Sequence, residues 1–159
     1  MLTAEIALDV LSRLRGAGCH VWIAGGWGDD ALLSRETRGH SDLDLLHRVA
    51  EEPTVLAVLN DFTESENFRP VRFVLSRPDG ASLDLHPLHF NADGSATQAA
   101  DSAGGLFRYP ADCFVTGTIN GATVPCLSLA QQLRFHQGYE PRLHDLADVA
   151  ALRAVFGRP

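Results

Sequence analysis

Apolar and polar positions divide the chain into a mixed series of helices and strands. Ile6, Val10, Leu11 and Leu14 recur at helical spacing behind Thr3, which can cap the segment, and Gly16 and Gly18 end it. Residues 20–24 form a short apolar run, read as a buried strand, which Gly25 and Gly26 break. Residues 27–33 read as a short helix and 34–40 as a polar connection. The connection delivers the chain to a second strand, where Asp42 and Asp44 alternate with Leu43 and Leu45. The period of two points both carboxylates to one face and both leucines into a core.

Val55, Leu56, Leu59 and Phe62 share helical spacing, and Pro53 fits only a first turn, so that helix starts near Glu51 or Glu52. Runs at 71–76 and 82–88 flank Arg77-Pro78-Asp79-Gly80, a turn sequence that predicts a β-hairpin. The second run presents Asp84 and His86 on one face and Leu83 and Leu85 on the other. Residues 90–105 are small and polar, predicting a surface loop or a flap over a site. Runs at 113–119 and 122–126 flank Asn120-Gly121, a second hairpin signal. Ser128-x-x-Gln131 is a capping box opening a helix that ends at Gly138. A last helix over 144–156 is predicted to bury Leu146, Val149, Leu152 and Val155 or Phe156, with Gly157 as its stop. Helices and strands do not alternate regularly, which favours an α+β fold.

Composition narrows the function classes. A chain of 159 residues, 45% apolar, suffices for one domain with a sizeable core. A net charge of −7 argues against a nucleic-acid backbone as partner and is compatible with a cationic small molecule. No apolar run reaches bilayer-spanning length, and the N-terminus lacks the basic-then-apolar order of a signal peptide. Cys19, Cys113 and Cys126 are odd in number and widely spaced, which suits buried thiols in a reducing cytoplasm. The expected partners are therefore small molecules, with neither nucleic acid nor membrane among them.

Two carboxylates side by side on a strand repel unless a cation lies between them, and Mg²⁺ prefers such oxygen ligands. The glycine turn upstream offers backbone N–H groups at a helix start, which suits phosphate. Asp84, between two leucines, is a carboxylate in an apolar setting that calls for a partner or a metal. The pattern points to a Mg²⁺–nucleotide site. His86-x-x-His89 is no zinc pair, because side chains diverge at that spacing on a strand, and residues 91–95 read as a turn rather than a calcium loop.

GGWG, HSDLDL and SLDLHPL together resemble the nucleotidyltransferase superfamily that shares the DNA polymerase β fold. Within it the chain resembles the small, single-domain lincosamide nucleotidyltransferases, relatives of the aminoglycoside 2″-nucleotidyltransferases. The likeness runs from the first helix to the last and includes LDLHPLHFNADGSATQA, VPCLS and RFHQGY. It implies a mixed sheet flanked by helices in one domain over 1–159, with a metal and nucleotide core in 1–90 and an acceptor side in 91–159. It also implies transfer of a nucleoside monophosphate from ATP or another NTP to an antibiotic hydroxyl, releasing pyrophosphate. By the same resemblance Asp42 and Asp44 are the metal-binding pair, and Asp84 is a third carboxylate that contacts metal and accepts the hydroxyl proton. Gly25, Gly26 and Trp27 form the turn that receives the phosphates, with Arg38 and His40 as candidate phosphate contacts. His136, Tyr139 and Asp145 match a C-terminal region that closes over substrate and nucleotide. His86 shares a face with Asp84, as a substrate contact or a support behind it. Phe107 and Tyr109, with Phe114, are candidates for an apolar acceptor wall. The chain has no lysine, so lysine contacts made in relatives fall here to arginines such as Arg142 or are lost.

Other readings remain open at this level. The acceptor could be an aminoglycoside, another hydroxylated metabolite or a protein hydroxyl, and the chain could be a non-catalytic nucleotide-binding module. The complete set of Asp42, Asp44 and Asp84 speaks against the last. With no second domain to complete the acceptor pocket, the chain could also borrow a wall from a second copy in a homodimer.

Overall fold

The computed structural model describes residues 1–137 and 143–157, with side chains at 1–136 and 145–157. Helix α1 (Ala4–Gly16) begins as expected, with the Thr3 hydroxyl accepting from the Ile6 N–H at 3.2 Å. Strand β1 (Val21–Ala24) runs into helix α2 (Gly25–Leu33), which starts at the first glycine rather than at Trp27. Strand β2 (Asp42–Arg48) carries the paired aspartates, and helix α3 (Glu52–Val58) follows with Pro53 in its first turn. Then come β3 (Thr63–Phe68), β4 (Arg72–Ser76) and β5 (Ser82–Phe90). Strands β6 (Ala96–Ala99) and β7 (Leu106–Tyr109) precede the hairpin of β8 (Phe114–Ile119) and β9 (Ala122–Leu127). Helices α4 (Leu129–Gln137) and α5 (Leu143–Phe156) close the described chain.

The strands form one mixed sheet in the order β3-β4-β5-β2-β1-β9-β8, with the β6–β7 hairpin attached to the far part of β5. In its middle, β2 lies antiparallel to β1 and parallel to β5, and β1 lies parallel to β9. One face is mostly apolar: Leu43, Leu45, Leu83 and Leu85 are fully buried beside Val10 and Leu14 of α1 and Val55 of α3. The opposite face begins with Asp42, Asp44, Asp84 and His86. It then turns apolar at Leu46 and Leu88, which pack with Tyr109, Leu127 and the rings of Trp22, Phe90 and Phe114. Period-2 alternation thus separates a core face from a chemical face within the same strands. Asn120 and Gly121 both adopt positive φ, as a tight hairpin between right-twisted strands requires.

Three expectations are corrected, and one strand, β3, is new. Residues 90–105, read as a surface loop with some order or a flap, are largely strand: they continue β5, turn through Asn91–Gly94 and form β6, whose partner β7 lies just beyond. Strand β3 has every residue exposed, so it shows no alternation and forms by backbone pairing with β4 at a charged sheet edge. Helix α3 ends at Val58, before Leu59 and Phe62, and Leu56 is exposed because Val55 and Leu59 take the inward side. In α5, Leu152 is buried and Val149 half-buried, but Leu146, Val155 and Phe156 are exposed. The buried stripe there is Asp145, Asp148 and Leu152, spaced three and four apart, so polar residues occupy the face assigned to apolar ones. The predicted helix stop at Gly138, and Tyr139 and Arg142, lie outside the described residues. No helix among the described residues is long and apolar enough to cross a membrane.

Candidate active site

The pairing of β2 with β5 sets Asp44 opposite Asp84 across forty residues of sequence, because two parallel strands in register place i and j side by side. Asp42 stands two residues earlier on the same face, opposite Ser82. All three aspartates are half-buried and line a cavity of about 930 Å³. Ligand atoms of Asp44, Asp84 and His86 lie within 4.8 Å of one another. His86 Nε2 donates to Asp44 Oδ1 at 2.9 Å and stands 3.9 Å from Asp84 Oδ1. Arg72 of β4 donates to both oxygens of Asp84, at 3.2 and 3.3 Å.

Burial pushes the Asp84 carboxyl up and the Asp44 charge adds to that, against the opposing pull of His86 and Arg72. For His86, burial disfavours the charged ring, but the bond and charge of Asp44, with Asp84 behind it, outweigh burial and raise it. The paired carboxylates of Asp44 and Asp84, with Asp42 on the same face of β2, form a hard oxygen donor set of the kind Mg²⁺ takes.

The glycine turn is built against this cluster. Gly25 has φ +61°, and a Cβ there would overlap Asp44 Oδ2. A Cβ on Gly26 would overlap His40 Nδ1 and the Arg38 guanidinium. The turn therefore brings the bare start of α2 onto one oxygen of Asp44 while His86 holds the other. Gly25→Ala should destabilise the fold by about 1–2 kcal/mol through the left-handed backbone alone. It should also slow turnover at least tenfold, since the clash moves a carboxylate held by His86. Turnover and unfolding measured on one preparation check this.

Not all expected residues line the cavity. Trp27 is buried and packs tilted against His40, the ring centroids 4.6 Å apart. His40 Nε2 donates to Asp30 Oδ2 at 2.6 Å, and Arg38 grips Asp148 through Nε and a terminal nitrogen, both at 2.8 Å. Both residues expected at phosphate thus have buried carboxylate partners within the fold. His136 and Asp145 are buried beneath α2, with His136 Nε2 donating to Asp29 Oδ2 at 2.6 Å and Nδ1 standing 3.7 Å from Asp145. They sit behind the glycine turn and not among the cavity residues. Phe107 lines the cavity with its ring part-exposed; Tyr109 lines it too, but is buried and donates its hydroxyl to Gln98 Oε1 at 2.6 Å.

Sequence reasoning missed Arg72, Gln98, Arg134 and Phe135, all cavity residues. Arg72 was within reach: the hairpin sets Val74 opposite Asp84, and alternation puts Arg72 on that face. Gln98 lay inside the segment read as loop.

Burial pushes Asp29 up to about 6 against its bond to His136, and His136 is itself raised, since Asp29, Asp148 and Asp145 outweigh the burial that opposes its charge. Both folded values exceed the unfolded ones, so the stability they contribute is full at low pH and lost as pH rises through the folded values. Between pH 5 and 7.5 the unfolding free energy should fall by on the order of 2 kcal/mol more in the wild type than in Asp29→Asn. Urea titrations across that range measure the difference.

The model of the aminoglycoside-2″-adenylyltransferase family matches residues 7–152. The chain belongs to this family. A lincosamide resistance protein of Staphylococcus haemolyticus is 32% identical over 136 residues, 84% of each chain. The lincomycin-bound crystal structure of a lincosamide antibiotic adenylyltransferase superposes with a TM-score of 0.86 at 29% identity, covering 97% of this chain and 98% of that one. ANT(2″)-Ia in complex with adenylyl-2″-tobramycin shares the fold, with a TM-score of 0.75 at 19% identity over 97% and 89%. The α+β architecture and the resemblance read from the sequence are thereby borne out, and the likeness in fold covers 97% of the chain.

Proposed function

We propose that this family member transfers a nucleoside monophosphate from ATP or another NTP to a hydroxyl of a lincosamide. The observation that carries the reading is the convergence of Asp42, Asp44 and Asp84 from two neighbouring strands on one cavity beside the Gly25 turn. Held by these carboxylates, Mg²⁺ would neutralise the polyphosphate and make a nearby hydroxyl more acidic. The acceptor oxygen forms a bond to the α-phosphorus, the bond to the leaving pyrophosphate breaks, and Asp84 takes the hydroxyl proton. A carboxyl whose proton affinity is raised by burial suits that last role better than an exposed one. Gly25 and Gly26 leave the start of α2 bare for phosphate oxygens, so much of the catalysis is positioning. An NTP donor suits a reaction in the cytoplasm.

Residues 1–90 supply the carboxylates and the turn; the acceptor side falls to 91–159, where Leu106, Phe107 and Phe135 give the cavity an apolar wall. Once the three aspartates are engaged by cation, the charged residues left on the lining are Glu66 against Arg72, Arg108 and Arg134. Such a wall favours an acceptor with one amine over a polycation. An aminoglycoside acceptor is the second reading, favoured by the family that the chain belongs to. A homodimer would extend the wall where Leu106 is exposed.

Incubation with ATP, MgCl₂ and lincomycin or clindamycin should give an antibiotic heavier by one nucleotide, read by mass spectrometry. An adduct with kanamycin or gentamicin and none with a lincosamide would overturn the acceptor. Binding of ATP with no adduct on any acceptor would overturn transfer itself.

A further inference from the structure

The hydrogen bonds behind Asp44 form a chain whose direction is fixed at its far end. Val71 contributes a backbone carbonyl, which can only accept, and Gln98 Nε2 lies 3.2 Å from it. That nitrogen is therefore the NH₂ end of the amide, as the Tyr109 hydroxyl on Gln98 Oε1 agrees. The same NH₂ reaches His86 Nδ1 at 3.1 Å; two donors cannot bond to each other, so this contact makes Nδ1 the acceptor of a neutral ring with its hydrogen on Nε2, and opposes the charged form that the neighbouring carboxylates favour. Nε2 in turn faces Asp44 Oδ1 at 2.9 Å, and Phe135 packs edge-on against the ring at 5.3 Å. His86 and Gln98 are both buried. The other carboxylate oxygen, Oδ2, is the one against Gly25.

We propose that His86 is a positioning residue whose tautomer Gln98 sets, and that it holds Asp44 with Oδ1 occupied and Oδ2 presented to the cation at the glycine turn. The inference rests on the nucleotidyltransferase reading for its consequence in turnover, but not for its consequence in metal binding. It also makes the β6–β7 hairpin, which contributes Phe107 to the acceptor wall, part of the support of a metal ligand.

Three substitutions separate this role from a substrate contact. Glutamine carries an N–H near the position of Nε2, whereas asparagine reaches only that of Nδ1, and phenylalanine offers neither. Mn²⁺ binding, followed by loss of the free-ion electron paramagnetic resonance signal with ATP and no antibiotic, should weaken about tenfold in His86→Phe and His86→Asn. In His86→Gln it should stay within about threefold of wild type. With lincomycin present, the half-saturating Mg²⁺ concentration should follow the same order while the KM for lincomycin changes less than twofold. Equal Mn²⁺ binding in the Gln and Asn variants overturns the tautomer assignment. A raised lincomycin KM with unchanged metal response overturns the positioning role in favour of a substrate contact. If the wild type forms no antibiotic adduct, the transfer reading fails, and the Mn²⁺ series still decides this one. Should His86→Phe not fold, the comparison of Gln with Asn carries the test.

Discussion

Asp84→Asn should leave the protein folded and reduce nucleotide transfer by roughly a thousandfold, because one substitution removes a cation ligand and the proton acceptor together. The fold should tolerate it. Asp84 is half-buried on the cavity side, and asparagine has the same shape. Its amide oxygen still accepts from Arg72, whose donors otherwise meet both carboxylate oxygens. The burial that pushes the Asp84 carboxyl up no longer penalises a charge there, which favours the folded state slightly. Asp42→Asn and Asp44→Asn should be less severe if Asp84 alone takes the proton, and equally severe if all three serve only the cation. Single-turnover rates at saturating Mg²⁺ distinguish these outcomes, and a rate for Asp84→Asn within tenfold of wild type would remove Asp84 from the chemistry.

Arg38→Leu should have the largest effect on stability, about 3–5 kcal/mol, because it strands the buried carboxylate of Asp148. The two residues lie 110 apart in sequence, and the forked contact ties the segment before β2 to α5. Asp148 is 3% exposed and shares its surroundings with Asp29 and His136, so water cannot replace the guanidinium. Lysine at position 38 keeps the charge but loses the fork, and should recover only part of the loss. The pair Arg38→Leu, Asp148→Leu should recover most of it, since deleting both partners leaves no uncompensated charge. Denaturant midpoints for the three variants measure these differences. A loss below 1 kcal/mol in Arg38→Leu would mean that Asp148 finds another cation.

Residues whose burial follows a simple period were legible in the sequence. Leu43 and Leu45 inside, Asp42 and Asp44 outside, and Asp84 with His86 on one face all follow from alternation, and the structure adds their register. What escaped was polar burial. Asp29, Asp30, Asp145 and Asp148 lie inside because His40 and His136 lie inside with them and the half-buried Arg38 reaches in, and no local pattern announces partners as distant as Arg38 and Asp148 or Asp29 and His136. For Arg38 and His40, expected at phosphate, the structure adds the buried carboxylate partners that no local pattern shows. Strand β3 escaped because an edge strand owes its form to a neighbour's backbone and not to its own side chains. The glycine turn was legible as a turn, but only coordinates show Gly25 pressed against Asp44.

The central strands enter the sheet far out of chain order: β1 lies between β2 and β9, so one of its two neighbours is among the last strands made. Until residues 122–127 leave the ribosome, the backbone of Val21–Ala24 has an open flank in a segment whose side chains are mostly apolar. An early stop codon before position 122 would therefore yield more than an inactive fragment: it would release a chain with a bare, sticky strand, prone to aggregate and be degraded rather than to persist as a partial enzyme.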